Sequence, residues 1–422
     1  MSGSSSSRPQ QPGSTISRRG WLVCSAAGLG AALLDGHGTA RAVGTSPSPQ
    51  AKPNDAAPPD RKREFLRRLL YRREDVDAWL AGKAFPFAKY DPELGYLHVD
   101  RDFKEGVDGS VCSYRYDRLG ARRTIAHADK PCRINTYGNS FTSCEQVSDG
   151  ETWQEVLAAH LGEPVRNYGI GGYSVYQAYL RMRREEKRAP ARYIVFNIFD
   201  DDHYRNLFAW QAMRFGVNRK SLCPPVPHVK ANPAGGWTEC PNPCPTGETL
   251  YKLCDLDSAY GMFEDDYVLN RYVLRKLRRD RGEKGVPGSD FDDPDFTRLA
   301  LDASMRIVEK VEEFAAAEDR KVLFVLSYNP QTVRRRLKDG SRFDQAFIDF
   351  MDRRRLPYVD LLKAHAADYA KCAPDIEAYV GRYFIGHYNP LGNFFCAFAM
   401  KDQVVRMLQP PPAAYSSNVT RY

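Results

Sequence analysis

From residue 131 onward, apolar runs of two kinds alternate along the chain. Short segments at 133–137, 165–168, 193–198, 321–327 and 358–359 have the length and the β-branched or aromatic content of strands, and 193–198 looks fully buried. Between them lie segments with apolar positions at helical spacing, at 152–161, 175–187, 297–317, 343–355 and 390–408. The alternation predicts a parallel sheet with helices on both faces, because parallel neighbours require long crossovers and those crossovers are usually helical. One interval breaks the pattern: residues 206–295 are too long for a simple crossover and are predicted to be an insertion over one face.

Upstream, residues 62–84 read as one amphipathic helix, with Phe65, Leu66, Leu69, Leu70, Val76 and Trp79 on helical spacing. Residues 90–124 alternate and are punctuated by glycine, which predicts short strands and turns. The first 60 residues show neither period. Ser17-Arg18-Arg19-Gly20-Trp21-Leu22 is a twin-arginine pattern, a small-residue apolar run reaches Leu34, and Ala40-Arg41-Ala42 is a cleavage-like site. That run is too short to span a bilayer. The expected organisation is a twin-arginine signal peptide at 1–42, a Pro- and Ser-rich flexible linker at 43–60, and a helix and short-strand lead-in at 61–130. A main domain at 131–410 carries the insertion, and 411–422 form a tail. Export by the Tat machinery to the periplasm or the medium follows as an expectation, with no stable membrane span in the mature chain.

With 422 residues, 42% of them hydrophobic, the chain can bury a large core, which excludes a disordered or fibrous protein. The net charge of +8 suggests nucleic acid, but the arginine-rich stretches are interleaved with Glu and Asp and no nucleic-acid motif accompanies them, so no such partner is expected. Ten cysteines suit an oxidising compartment. Cys223, Cys240, Cys244 and Cys254 cluster in a Pro-rich stretch of the insertion; their spacing allows two disulfides or a metal, and disulfides are the favoured expectation. Cys132 and Cys396 lie in apolar runs and read as buried thiols.

In open parallel sheets, ligands bind beyond the carboxyl ends of the strands. Gly138-Asn139-Ser140-Phe141-Thr142 follows the first strand, where glycine permits a sharp turn and Ser140 is presented near a helix start; alone it would read as a turn or cap. Asn167-Tyr168-Gly169-Ile170-Gly171-Gly172 follows the second strand, and its N–H groups suit a phosphate or a developing oxyanion. Asp200-Asp201-Asp202-His203 ends the third strand, a carboxylate cluster that would repel itself without a proton, cation or donor. Gly386-His387-Tyr388-Asn389-Pro390-Leu391-Gly392 precedes the last helix, placing an imidazole where it can take a proton from a serine hydroxyl.

These four blocks, in this order at strand ends, resemble the SGNH (GDSL-like) hydrolase family over roughly residues 131–410. Gly138 to Thr142 is similar to its nucleophile block, Gly169 to its oxyanion glycine, Asp201-Asp202 to its Asn-Asp, and His387 to its final block; the stretches 90–96 and 116–123 resemble the lead-in of an exported bacterial branch. The resemblance implies a flavodoxin-like three-layer α/β/α sandwich. It implies a serine hydrolase of ester bonds in which Ser140 attacks, His387 takes its proton, and N–H groups of Ser140 and Gly169 hold the oxyanion, with no metal or organic cofactor.

Three positions depart from the family pattern: Asn139 replaces the usual Asp, Phe384 stands where the acid three residues before the histidine is usual, and Asp201 stands where Asn donates to the oxyanion. The last two are linked by the expectation that Asp201 or Asp202 orients His387 from the other side. An O-acyltransferase, or a lapsed domain that binds a glycan or partner protein, are the alternatives to an esterase. A metal-assisted site at Asp200 to His203 is weaker, because adjacent side chains point apart. The expected substrate is an ester-bearing small molecule or an acylated polysaccharide. Trp210, Trp237, Tyr251, Tyr260, Phe263 and Tyr267 of the insertion are either platforms for sugar rings or the insertion's own core.

Overall fold

The structure, a computed structural model, describes residues 56–83, 87–216, 223–232, 236–372 and 375–415. The twin-arginine segment lies outside them.

Five parallel strands form the central sheet: β1 (Ile134–Tyr137), β2 (Val165–Asn167), β3 (Tyr193–Phe199), β4 (Lys321–Ser327) and β5 (Tyr358–Asp360), in the spatial order β5-β4-β3-β1-β2. This is the flavodoxin-like order. All seven residues of β3 are buried, and it pairs along its whole length with β4, from Tyr193 opposite Lys321 to Phe199 opposite Ser327. A strand buried on both faces has no use for alternation, which is why its sequence is a continuous apolar run. Helices Trp153–Leu161, Leu361–Cys372 and Pro390–Met407 cover one face; Val175–Arg188, Pro294–Ala317 and Gln345–Arg353 cover the other. The three-layer α/β/α fold implied by the family resemblance is the fold observed.

The helix starts are built locally. Thr152, Ser174, Asp293 and Asn389 each cap the helix that follows by accepting an N–H from its first turn, and Pro294 and Pro390 occupy positions that have no N–H to satisfy. Each such cap contributes about 1 kcal/mol.

The lead-in holds two antiparallel hairpins, Ala88–Asp91 with Gly95–His98 and Arg101–Lys104 with Val111–Tyr114. Its last stretch reaches the sheet, where Arg122 N–H donates to Asn167 O at 2.8 Å beside β2. One continuous core runs from Ala57 to Leu408, so lead-in, insertion and sheet share their apolar interior.

Two expectations need correction. The single helix at 62–84 is two, Pro59–Arg67 and Arg73–Leu80. The break lets Leu69 and Tyr71 become buried, with Tyr71 N–H on Leu253 O and its hydroxyl on Cys223 O in the insertion. The cysteine cluster is not stapled by the expected disulfides: Cys240, Cys244 and Cys254 are free thiols. Hydrogen bonds from elsewhere do that work, with Tyr90 donating to Cys244 O, Asn242 to Pro92 O and Trp210 to Cys223 O. Of the two readings of the insertion's aromatics, a core role is what the structure shows for Trp210 and Phe263, in the interior shared with the lead-in. Trp210 is fully buried and stacked on Phe263 at 5.4 Å, while Tyr251 and Tyr260 lie under Arg73 and Arg63. Among the described residues no helix is long and apolar enough to cross a membrane.

Candidate active site

The chain leaves β1 through a turn that only glycine allows. Gly138 has φ 151°, and a Cβ there would lie 2.2 Å from Thr142 Oγ1 and 2.7 Å from Asn197 O. Asn139 caps the short helix Ser140–Ser143, its Oδ1 accepting Phe141 N–H at 2.9 Å, and its carbonyl accepts the N–H groups of Thr142 and Ser143. Ser140 is 1% exposed. Among the described residues, the Ser140 N–H makes no hydrogen bond, which leaves it available to an oxyanion.

The reason for Asn139 lies across the site. Its Nδ2 donates to Asp202 Oδ1 at 2.8 Å. An acid at position 139 would set two carboxylates against each other there, whereas the amide supplies the donor that Asp202 needs.

Gly169 does not fill the role expected of it. Its N–H is already donated to Asn167 Oδ1 at 2.9 Å, and a Cβ on it would lie 2.1 Å from Ser143 N. This glycine is there so that the loop can press against the nucleophile turn. The N–H groups of Gly171 and Gly172 have no acceptor among the described residues, so the loop's open donors sit two and three positions further on.

The expectation that Asp201 or Asp202 orients His387 is also corrected. Asp201 pairs with Arg205 at 3.0 Å and Arg214 at 2.8 Å, and Asp202 with Arg205 at 3.0 Å and Phe199 N–H at 3.1 Å. Burial works to raise the Asp201 carboxyl, but the two guanidinium groups hold it below its ordinary value. Its charge is thus matched rather than left facing a developing oxyanion. Asp200 is held by Asn329 and Thr332, with burial pushing its carboxyl up to about 7. His203 bonds Ser304 at 2.7 Å and packs on Phe347. These side chains do not converge on one point.

His387 stands against the segment that carries Ser140. Its ring lies 5.0 Å from that of Phe141, and its backbone N–H donates to Gln146 Oε1 at 2.6 Å. Its Nδ1 is 3.3 Å from the same oxygen, and its Nε2 is 3.8 Å from Glu145 Oε2. Burial lowers its pKa from 6.5; Glu145 opposes the shift, while Arg205 and Arg101 add to it, so the ring is neutral at pH 7 and able to accept a proton. Phe384, at the family's acid position, is instead stacked on Tyr388 at 4.5 Å within an aromatic cluster around His365.

The sequence reading did not find the residues that hold this arrangement. Arg122, 2% exposed, donates to the carbonyls of Ser143, Cys144 and Val147 and pairs with Asp149. It thereby clamps a loop in which Cys144 (φ 58°) and Gln146 (φ 71°) are left-handed. Each such non-glycine residue costs about 1–2 kcal/mol unless its surroundings enforce it. Tyr114 accepts Gln146 N–H at 2.6 Å and donates to Glu105. Arg101 reaches Glu145 at 3.7 Å. Arg122 falls in the stretch 116–123, marked only by its likeness to a lead-in, and no motif marks Arg101 or Tyr114, since each acts through space from the lead-in.

No protein-family model and no curated protein sequence matches the chain. Solved structures similar to it include an acetyl xylan esterase (13% identity, TM-score 0.34, covering 64% of this chain and 99% of that one). Others are a GDSL-like lipase from Bacteroides thetaiotaomicron (13%, 0.30, 67% and 93%) and an alpha/beta hydrolase enzyme from a Lake Arreo metagenome (12%, 0.34, 65% and 94%). At such identities and TM-scores the likeness carries no functional weight.

Proposed function

We propose that the protein is an exported serine esterase of the SGNH type that removes small acyl groups, such as acetyl, from a carbohydrate or another ester. The observation that carries this reading is the placement of a buried, neutral His387 against the turn that presents Ser140. Ser140 Oγ attacks the ester carbonyl as His387 Nε2 takes the hydroxyl proton, and the oxyanion lies against open N–H groups of Ser140 and the Gly171-Gly172 loop. Collapse breaks the bond to the alcohol, which leaves with the proton from Nε2. Water then repeats the sequence and releases the acid. The near-complete enclosure of Ser140 favours a short acyl group, and the twin-arginine pattern favours an extracytoplasmic substrate.

The test is labelling with a fluorophosphonate, together with acetate release from p-nitrophenyl acetate and from acetylated polysaccharides. The wild type should label and turn over, and S140A and H387A should do neither. A wild type inert to both reagents would reject the esterase in favour of a binding domain.

A further inference from the structure

Resting on the esterase reading, one question remains: what replaces the acid that Phe384 displaces. A serine-paired imidazole needs a partner that fixes its tautomer and stabilises the cation formed on attack. Both needs are met by consecutive residues of the loop that follows Ser140.

The backbone N–H of His387 can only donate, so the Gln146 amide must turn its oxygen, not its nitrogen, toward it at 2.6 Å. That same oxygen lies 3.3 Å from Nδ1. Facing a fixed acceptor, Nδ1 carries the hydrogen, which leaves the Nε2 lone pair free to act as base. A Cβ at Gly386 would lie 2.7 Å from this oxygen, so glycine there leaves room for the contact.

Glu145 serves the other nitrogen. Its carboxylate is 5% exposed, packs against the α-carbon of Gly171, and lies 3.8 Å from His387 Nε2 and 3.7 Å from Arg101 Nη2. At 3.8 Å it is too far for a hydrogen bond but close for a charge, and a buried charge is weakly screened. Arg101 itself sits over Tyr114 between Phe87 and Phe103. The charged groups facing His387 are therefore Glu145, Arg101 and Arg205. Of these, only Glu145 favours imidazolium.

We infer that Gln146 and Glu145 are positioning residues that together replace the missing acid: Gln146 Oε1 holds His387 with its hydrogen on Nδ1, and the Glu145 carboxylate stabilises the imidazolium formed as Ser140 attacks. The two duties that one aspartate discharges in the family pattern are divided between neighbours. The clamp of Arg122 and Tyr114 on this strained loop is what makes the division reliable.

The test uses the full chain with 15N-labelled histidine, the His387 signals being assigned with H387A. In the wild type His387 is the Nδ1–H tautomer. Gln146→Leu loses that tautomer and about 100-fold in kcat/KM for p-nitrophenyl acetate, within the span expected for disabling a general base. Gln146→Glu keeps both acceptor contacts, so it retains the tautomer and raises the His387 pKa. Glu145→Gln retains the tautomer, lowers the His387 pKa by about one unit, and lowers kcat about 10-fold. Variants that lose thermal stability while tautomer and pKa stay as in the wild type would overturn the inference. Should the wild type hydrolyse nothing, the esterase reading fails by itself, and the tautomer and titration data still decide the roles of both residues.

Discussion

Replacing Asn139 by aspartate restores the residue usual in the family, yet the structure predicts that it harms this protein. The Asn139 amide donates to Asp202 Oδ1 at 2.8 Å, with both residues buried. Two carboxylates at that separation would repel by about 6 kcal/mol at an effective dielectric near 20. Keeping a proton on the pair at pH 7 costs less, about 4 kcal/mol for a group with an unfolded pKa of about 3.9, so one carboxyl of the pair takes the proton, which burial already favours by raising Asp202 above the ordinary carboxylate range. The sign follows: a folded pKa raised above the unfolded one leaves no penalty below about pH 4, and the penalty grows as pH rises toward 7. Urea unfolding should therefore show N139D less stable than the wild type by about 4 kcal/mol at pH 7 but only by about 1.5 kcal/mol at pH 5. The double variant N139D/D202N restores a donor facing an acceptor and should recover at least half of the loss, the remainder reflecting Arg205, which keeps Asp201 but loses its second carboxylate. A loss under about 1 kcal/mol at pH 7, or one equal at both pH values, would refute the account.

Two further outcomes follow from the same geometry. Arg122→Met removes the donors to three loop carbonyls and strands the Asp149 carboxylate, so it should cost about 3–5 kcal/mol in urea unfolding and lower kcat/KM; wild-type stability would refute the clamp. The kcat/KM profile should be flat from pH 7 upward and fall about tenfold per unit once pH drops below a limb lying under 6.5, because burial lowers the His387 pKa and the neutral ring is the active form; a limb centred above 7 would contradict it.

The sheet was legible because its central strands are buried on both faces and its helices are capped by local residues. The expected runs at 193–198 and 321–327 correspond to Tyr193–Phe199 and Lys321–Ser327 almost residue for residue. The helix at 62–84 was not legible as two because both halves share one apolar period, and the break serves the contact of Tyr71 with Leu253 in an insertion some 180 residues away. Helices Pro330–Asp339 and Ile376–Tyr383 escaped because they are short: of the first only Val333 is buried, and the second buries Tyr379, Val380 and Tyr383 in eight residues, too few to show a period. Ser140 and His387 were legible as motif residues, but Gly169 was misassigned because spacing alone cannot say which N–H in a glycine-rich loop is already bonded.

The departures from the family pattern do not stand alone in the structure. Asn139 is matched by Asp202, Asp201 by Arg205 and Arg214, and Phe384 by the aromatic cluster, while Gln146 meets His387 Nδ1. Taken singly along the chain, each substitution suggests a damaged catalyst. Taken with its spatial partner, each conserves a physical quantity: a donor opposite a buried carboxylate, a neutralised charge beside the oxyanion site, an acceptor on Nδ1. Random decay of an abandoned site would leave buried charges unmatched, which costs several kcal/mol each and would be removed by apolar replacement sooner than by a compensating arginine. The pairing of Asp201 and Asp202 with arginines and of Asn139 with Asp202 is therefore what the esterase reading requires of these positions, whereas unmatched carboxylates there would have argued against it.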